Sequence, residues 1–265
     1  MFAFGFPPLF VVLAWWLGTA ATLWLVHRRG ATPISSLLRA SALLALGLIG
    51  IAVTRSRTDA LGAYTAFISV IAIWGWQEVG FLTGILTGPR RVPCPAVTQG
   101  SQRLRFAVAT LAYHELALVG CGVAIYGISL NGSNPVALWT FCALWILRLS
   151  AKLNFFLGVR NFSESFLPKN LRYLQSYFAR RPMNLLMPFS IGVAGYFAVL
   201  FWTRAWDAPV QGFVSVSLNL LATLLALGVL EHILMVTPWS SDALWRPGAG
   251  AAPTGLHSQS ADSNP

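Results

Sequence analysis

The chain has 265 residues, of which 56% are hydrophobic and 10% charged, with a mean hydropathy of +0.64. So oily a composition excludes a water-soluble globular domain of this length and fits a polytopic membrane protein, whose solvent is the bilayer. The net charge of +10 would suit nucleic acid, but the cations gather in alternate connections between apolar runs, which argues against that partner and reports membrane topology.

A helix needs about 20 apolar residues to cross the hydrocarbon core. The first such stretch runs from Pro8 to Val26; no Lys or Arg precedes it, whereas a secretory signal begins with a positive region, so it reads as a retained span. The second and third spans are expected at Leu37 to Thr54 and Leu61 to Leu86. From Leu86 to Arg103 the segment "LTGPRRVPCPAVTQGSQR" carries three prolines and two glycines, which predict an irregular loop. The fourth and fifth spans, Arg105 to Ile128 and Pro135 to Leu157, are joined by the turn "LNGSNP".

Between Gly158 and Met183 the connection is longer. After Pro168, a good first helical residue, Leu171, Leu174 and Phe178 recur at helical spacing, with Lys169, Arg172, Arg180 and Arg181 as cationic positions. An amphipathic helix on the inner membrane face is expected there, serving as a connector with snorkelling arginines or as a docking surface. The sixth and seventh spans follow at Leu185 to Arg204 and Val210 to Val236. The fold class is therefore all-α, a polytopic bundle of about seven transmembrane helices with one interfacial helix, occupying residues 1–238. Residues 239–265, rich in Ala, Gly, Ser and Pro, are expected to form a disordered cytoplasmic tail; His257 lies in it. No repeat and no Gly-rich phosphate loop is evident.

Charge placement orients the bundle. Arg28, Arg29, Arg39, Arg90, Arg91, Arg103, Arg105, Arg160, Lys169, Arg172, Arg180 and Arg181 fall on one side, whereas Arg55, Arg57 and Arg204, with Asp59 and Asp207, fall on the other. The positive-inside rule then puts the amino terminus outside and the carboxyl terminus in the cytoplasm. Cys94, Cys121 and Cys142 are odd in number and lack metal-like spacing, so they are expected as buried thiols without a disulfide framework.

Against this apolar background, three of the four glutamates, Glu78, Glu115 and Glu231, fall within spans. His114 and His232 sit directly beside two of them, and the fifth span adds Arg148, Lys152 and Asn154, followed by Asn161. An ionised group inside a membrane helix costs about 3 kcal/mol on insertion scales, so it needs protein or water around it and a partner. Glu78 and His114 are each about nine residues, roughly 13 Å at helical rise, from the cytoplasmic ends of their spans, which makes them level. Lys152 and His232 come to about 6 to 8 Å from that face. One polar site in the inner half of an otherwise apolar bundle is the expectation, with Gly75, Gly80, Gly84, Gly120 and Gly122 allowing close packing or room for a flat ligand.

Three chemistries suit that set. Arg148 and Lys152 could neutralise the carboxylates in a structural ion network. Glu78, Glu115, Glu231, His114 and His232 have the mixed carboxylate and imidazole character of an iron, manganese or zinc site, although no HExxH or ExxH is present. A tetrapyrrole could take one histidine as axial ligand among glycines and tryptophans. A proton or substrate path is a fourth use of such groups. Because adjacent helical residues differ by about 100° in direction, one of His114 and Glu115 could bind while the other orients a neighbour.

"WGWQEVGFLTGILTGPRRVPC" from Trp74, "YHELAL" from Tyr113, "KLNFFLGVRNFSESFLPKNLRYLQSYF" from Lys152 and "EHILMVTP" from Glu231 resemble the PuhE family, photosynthetic-complex assembly proteins of anoxygenic phototrophic bacteria. The likeness runs from about Trp74 to Pro238 by these strings. It implies a multi-pass protein of the intracytoplasmic photosynthetic membrane that supports formation of reaction-centre and antenna complexes or modulates bacteriochlorophyll supply. Its partners would be the lipid bilayer, reaction-centre or antenna subunits and other assembly factors. In that setting His114 and His232 are expected as ligands to bacteriochlorophyll, a precursor, or iron or zinc. Glu78, Glu115 and Glu231 would be ligands or orienters, and Arg148, Lys152 and Asn154 would balance charge. The alternative is a membrane metalloenzyme that modifies a pigment, isoprenoid or lipid.

Overall fold

The computed structural model describes residues 2–162, 167–210 and 212–237. Among them the chain forms seven helices long and apolar enough to cross a membrane: α1 Phe2–His27, α2 Pro33–Thr54, α3 Ala60–Leu82, α4 Gly100–Ser129, α5 Val136–Leu157, α6 Leu186–Asp207 and α7 Phe213–Val236. A 3-10 helix, Lys169–Tyr177, lies between α5 and α6. No strand forms among the described residues. The expected disordered tail lies outside them.

Two helices occupy the middle of the bundle. In α3 and α7, 50% and 56% of the most hydrophobic window is buried, against 17% to 28% in the other spans. Helices that are apolar on all sides but turned mainly outward face lipid, so α1, α2, α4, α5 and α6 form the outer layer. Pairs α2 with α3 and α6 with α7 make the most extensive hairpin contacts. Phe67, Val70, Ile73, Leu118, Ile125, Phe141 and Leu220 form the main core among α3, α4, α5 and α7.

Local chemistry sets the helix ends. Thr32 and Ser35 cap α2 reciprocally, each accepting the other's backbone N–H at 3.1 and 3.0 Å, which satisfies two otherwise orphaned donors. Asp59 caps α3 by accepting the Gly62 amide at 2.6 Å and pairs with Arg57 at 2.7 Å; the Arg57 guanidinium and that amide hold its carboxyl below the usual carboxylate range. The turn before α5 is pinned by buried Asn134, whose amide group donates to the carbonyls of Thr54 and Gly62 at 3.1 and 3.2 Å.

Several expectations are corrected. The third span ends at Leu82 rather than Leu86, because Gly84 adopts a left-handed φ of +82° and Leu86 folds back, its amide donating to the Gly80 carbonyl at 2.8 Å. The fourth helix begins five residues earlier than its apolar run, at Gly100, with a polar first turn. The interfacial helix is 3-10 rather than α, and its buried face is Leu171, Leu174 and Tyr177 at strict threefold spacing. That face packs on Phe81, Leu82 and Leu111 of the bundle instead of on lipid. Cysteine burial is also partial: Cys121 is buried, whereas Cys142 is exposed and Cys94 half-buried, all three free. Finally, the half of the bundle away from the basic connections is not purely apolar, since Ser69, Thr140, Ser215, Ser217, Asn219 and Thr223 are buried there. Ser69, Ser217, Asn219 and Thr223 bond carbonyls of their own helices at 2.6 to 2.9 Å, the usual way for small polar groups to be tolerated in lipid.

The loop between α3 and α4 enters the bundle. Thr87 is fully buried; its carbonyl accepts the His114 amide from the middle of α4 at 3.0 Å, and the Arg90 amide donates to the Ala109 carbonyl at 3.3 Å. Gly88 makes this approach possible, since a Cβ there would stand 2.1 Å from the Ala109 carbonyl oxygen. Tyr177 fastens the same loop: its hydroxyl accepts from Arg90 Nε at 2.6 Å and donates to the Val92 carbonyl at 2.9 Å, while Arg103 donates to the Tyr177 carbonyl.

Candidate intramembrane site

Helix α5 is the hub of the polar cluster. Trp145, Arg148 and Lys152 follow at spacings of three and four, which places them on one face of the helix, toward α3 and α4. Ser150 and Asn154, also four apart, lie on a second face toward α6 and α7. The residues predicted from sequence thus divide between two polar groups rather than one pocket.

On the first face the charges pair. Arg148 Nη2 lies 3.0 Å from Glu78 Oε2 of α3, and Lys152 Nζ lies 2.6 Å from Glu115 Oε1 of α4. Trp145 Nε1 donates to the other Glu115 oxygen at 3.3 Å. Side-chain exposure is 29% and 18% in the first pair and 15% and 30% in the second, so both are screened only in part by their surroundings. Arg148 and Lys152 repel each other across one helical turn, and the two acids offset that repulsion. Glu231 is exposed on α7, within electrostatic reach of Arg148 but in no ion pair among the described residues.

The second face carries a neutral network. His232, buried, bonds the Gly228 carbonyl through Nδ1 at 2.8 Å and Ser150 Oγ through Nε2 at 2.9 Å. Ser150 Oγ lies 2.9 Å from Ser190 Oγ of α6, and Asn154 Nδ2 donates to the Ser150 carbonyl and Ser190 Oγ at 3.0 and 3.2 Å. Both His232 nitrogens are therefore engaged. Asn154 belongs to this network instead of balancing charge. Asn161, at the end of the same segment, caps α7: its side chain donates to the carbonyls of Leu234 and Thr237.

His114 stands apart from both groups. It is 1% exposed, its ring centroid is 5.0 Å from that of Phe81, and neither ring nitrogen has a hydrogen-bond partner among the described residues. Lys152 and Arg148 lie within electrostatic reach of the ring. Leaving a buried ring N–H unbonded costs about 1 to 3 kcal/mol. Above it, the Gln77 amide donates to Cys121 Sγ at 3.1 Å while its oxygen has no partner, and Arg148 Nε is likewise unbonded. Orphaned buried atoms on α3, α4 and α5 are thus found at Gln77, His114 and Arg148, and Asn154 Oδ1 of α5 is likewise without a partner among the described residues.

The five acids and imidazoles expected as a ligand set are thus distributed. Glu78 and Glu115 are committed to cations, His232 to its network, Glu231 faces outward, and His114 alone is buried and unbonded. Among the described residues no three His, Cys, Asp or Glu side chains come together as a metal-binding group. Sequence reasoning missed Gln77, Trp145, Ser150, Ser190 and Tyr177. Only the fourfold spacing of Ser150 and Asn154 offered a signal; Ser190 is a lone hydroxyl whose partners come from another helix.

Comparison with known proteins places the whole chain. A protein of Rhodobacter capsulatus, described as an uncharacterized 30.4 kDa protein in the puhA 5' region, is 37% identical over 238 residues, covering 88% of this chain and 86% of that protein. No solved structure matches. The family model described as "Protein of unknown function (DUF3623)" matches residues 1–254, and the chain, with seven membrane-type helices around a paired intramembrane charge cluster, belongs to that family.

Proposed function

We propose that this protein is an assembly factor of the bacterial photosynthetic apparatus, of the PuhE type, and that His114 is the group through which it engages a bacteriochlorophyll or a precursor. The genomic side of the reading rests on the Rhodobacter relative, described as a protein in the puhA 5' region. The chemical side rests on one observation: His114 is buried with both ring nitrogens unbonded among the described residues.

His114, buried beside Phe81 with its ring nitrogens unbonded among the described residues, would be the residue to hold the metal of a tetrapyrrole. When bound, such a pigment would bring light-absorbing and redox chemistry; the chain's own residues orient and shelter it. Glu78 with Arg148 and Glu115 with Lys152 hold α3, α4 and α5 in register around the imidazole. The Phe81 ring, its centroid 5.0 Å from that of His114, would flank a group held there. The protein lies in the intracytoplasmic membrane with its basic end and carboxyl tail in the cytoplasm, where reaction-centre and antenna subunits are inserted.

The test is genetic. In a phototrophic bacterium that encodes this protein, deletion should lower the membrane absorbance of assembled reaction-centre and antenna complexes. Wild-type protein should restore it, and His114→Ala, at equal protein level, should not. Complex levels unchanged by the deletion would overturn the role; full rescue by His114→Ala would overturn the assignment of His114.

A further inference from the structure

A cleft of about 540 Å³ opens at the basic end, between the α1–α2 turn, the loop after α3 and the 3-10 helix. Its walls include His27 at the end of α1, Thr32 at the start of α2 and Leu82 at the end of α3. Three membrane-length helices terminate there together, so the cleft lies where hydrocarbon gives way to headgroups. Leu82 and Leu171 supply apolar wall, and Arg91 and Tyr173 supply polar groups.

Among the described residues no Asp or Glu lines the cleft, and the charges there have one sign. Arg90 and Arg103 are tied to Tyr177 and stacked over Phe106 and Phe156 at 4.2 and 4.5 Å. Arg91, by contrast, is exposed, and among the described residues it bonds only through Nε, to the Gly88 carbonyl at 3.4 Å, which leaves both Nη groups without a partner there. The Tyr173 hydroxyl is buried beside Thr87 without a hydrogen bond of good geometry. Burial pushes that phenol above its ordinary value, so it remains a donor. The first turn of α2, capped by Thr32, adds its positive dipole end.

We propose that this cleft is a binding site for one anionic phospholipid, whose phosphate is held by Arg91 and Tyr173 beside His27 and whose glycerol and first methylenes rest on Leu82 and Leu171. A guanidinium with two free nitrogens recognises a phosphate oxygen pair, and juxtamembrane cations favour anionic headgroups. A zwitterionic choline headgroup would bring its own cation against Arg91 and is disfavoured. This site is separate from His114 and does not depend on the role proposed for it.

Purified full-length protein in detergent, titrated with phosphatidylglycerol or phosphatidylcholine and followed by native mass spectrometry, tests the site. One phosphatidylglycerol per chain should persist under conditions that strip phosphatidylcholine. Arg91→Gln should bind it about tenfold more weakly, the loss expected for a charge-assisted hydrogen bond. Arg29→Gln, an exposed cation of the same end outside the cleft, should bind it as the wild type does and thereby separates site binding from general surface attraction. Equal retention of the two lipids, an unchanged Arg91→Gln, or equal weakening by Arg29→Gln would overturn the proposal. Displacement of the lipid by inorganic phosphate would reassign the cleft to a free anion and overturn the lipid assignment.

Discussion

Lys152→Met removes the cation that lies 2.6 Å from Glu115 and leaves that carboxylate with only the 3.3 Å Trp145 N–H. Breaking one side of a buried pair costs about 3 to 5 kcal/mol. With side chains 15% and 30% exposed, the lower end applies, about 3 kcal/mol. Glu115→Gln should cost a similar amount, because Lys152 then faces Arg148 uncompensated. The double variant leaves no unpaired charge and should lose about 1 to 2 kcal/mol, so the two changes couple by about 4 to 5 kcal/mol. Denaturant unfolding in detergent, followed by tryptophan fluorescence, measures all four corners of this cycle. Additivity within about 0.5 kcal/mol would refute the claim that the pair acts as one buried unit.

Gly88→Ala should be among the most damaging substitutions, because its Cβ would meet backbone atoms of Ala109 and Thr110 at 2.1 and 2.6 Å; loss of folded protein after membrane extraction checks this, and wild-type yield would contradict it. Tyr177→Phe removes the bonds to Arg90 and Val92 and should cost about 1 to 3 kcal/mol, read as faster amide exchange in residues 83–99 than in α7. The lowered carboxyl of Asp59 means that its cap stabilises the start of α3 above the ordinary carboxylate range and weakens as pH falls through the depressed value. Amide exchange at Gly62 and Ala63, corrected for intrinsic rates, should therefore rise only in strong acid, and Asp59→Asn should flatten that dependence.

All seven spans were legible in the sequence because lipid demands long apolar runs regardless of tertiary detail. Their ends were less so. Hydrophobicity carries the third span through Ile85 and Leu86, whereas the left-handed Gly84 stops the helix, and the polar first turn of α4 projects beyond any apolar window. Span depth put Glu78 and His114 level and Lys152 nearer the basic face, and in the structure Glu78 and Glu115 pair with Arg148 and Lys152, an arrangement of the ion-network kind that was one of the chemistries weighed. Helical rise alone could not show which way each side chain turns. That is why His114, adjacent to Glu115, ends without a partner, why His232 joins serines from α5 and α6, and why Glu231 faces outward. The insertion of Thr87 against α4 was invisible because backbone bonds between a loop and a helix interior leave no side-chain pattern.

The role of His114 is tested most directly by purifying the protein from phototrophic membranes and recording its visible and near-infrared absorption together with its metal content. A bacteriochlorin band should accompany the wild type, disappear in His114→Ala and persist in His232→Ala, whose imidazole is already bonded at both nitrogens. A band indifferent to His114→Ala, or stoichiometric iron or zinc with no pigment, would contradict it.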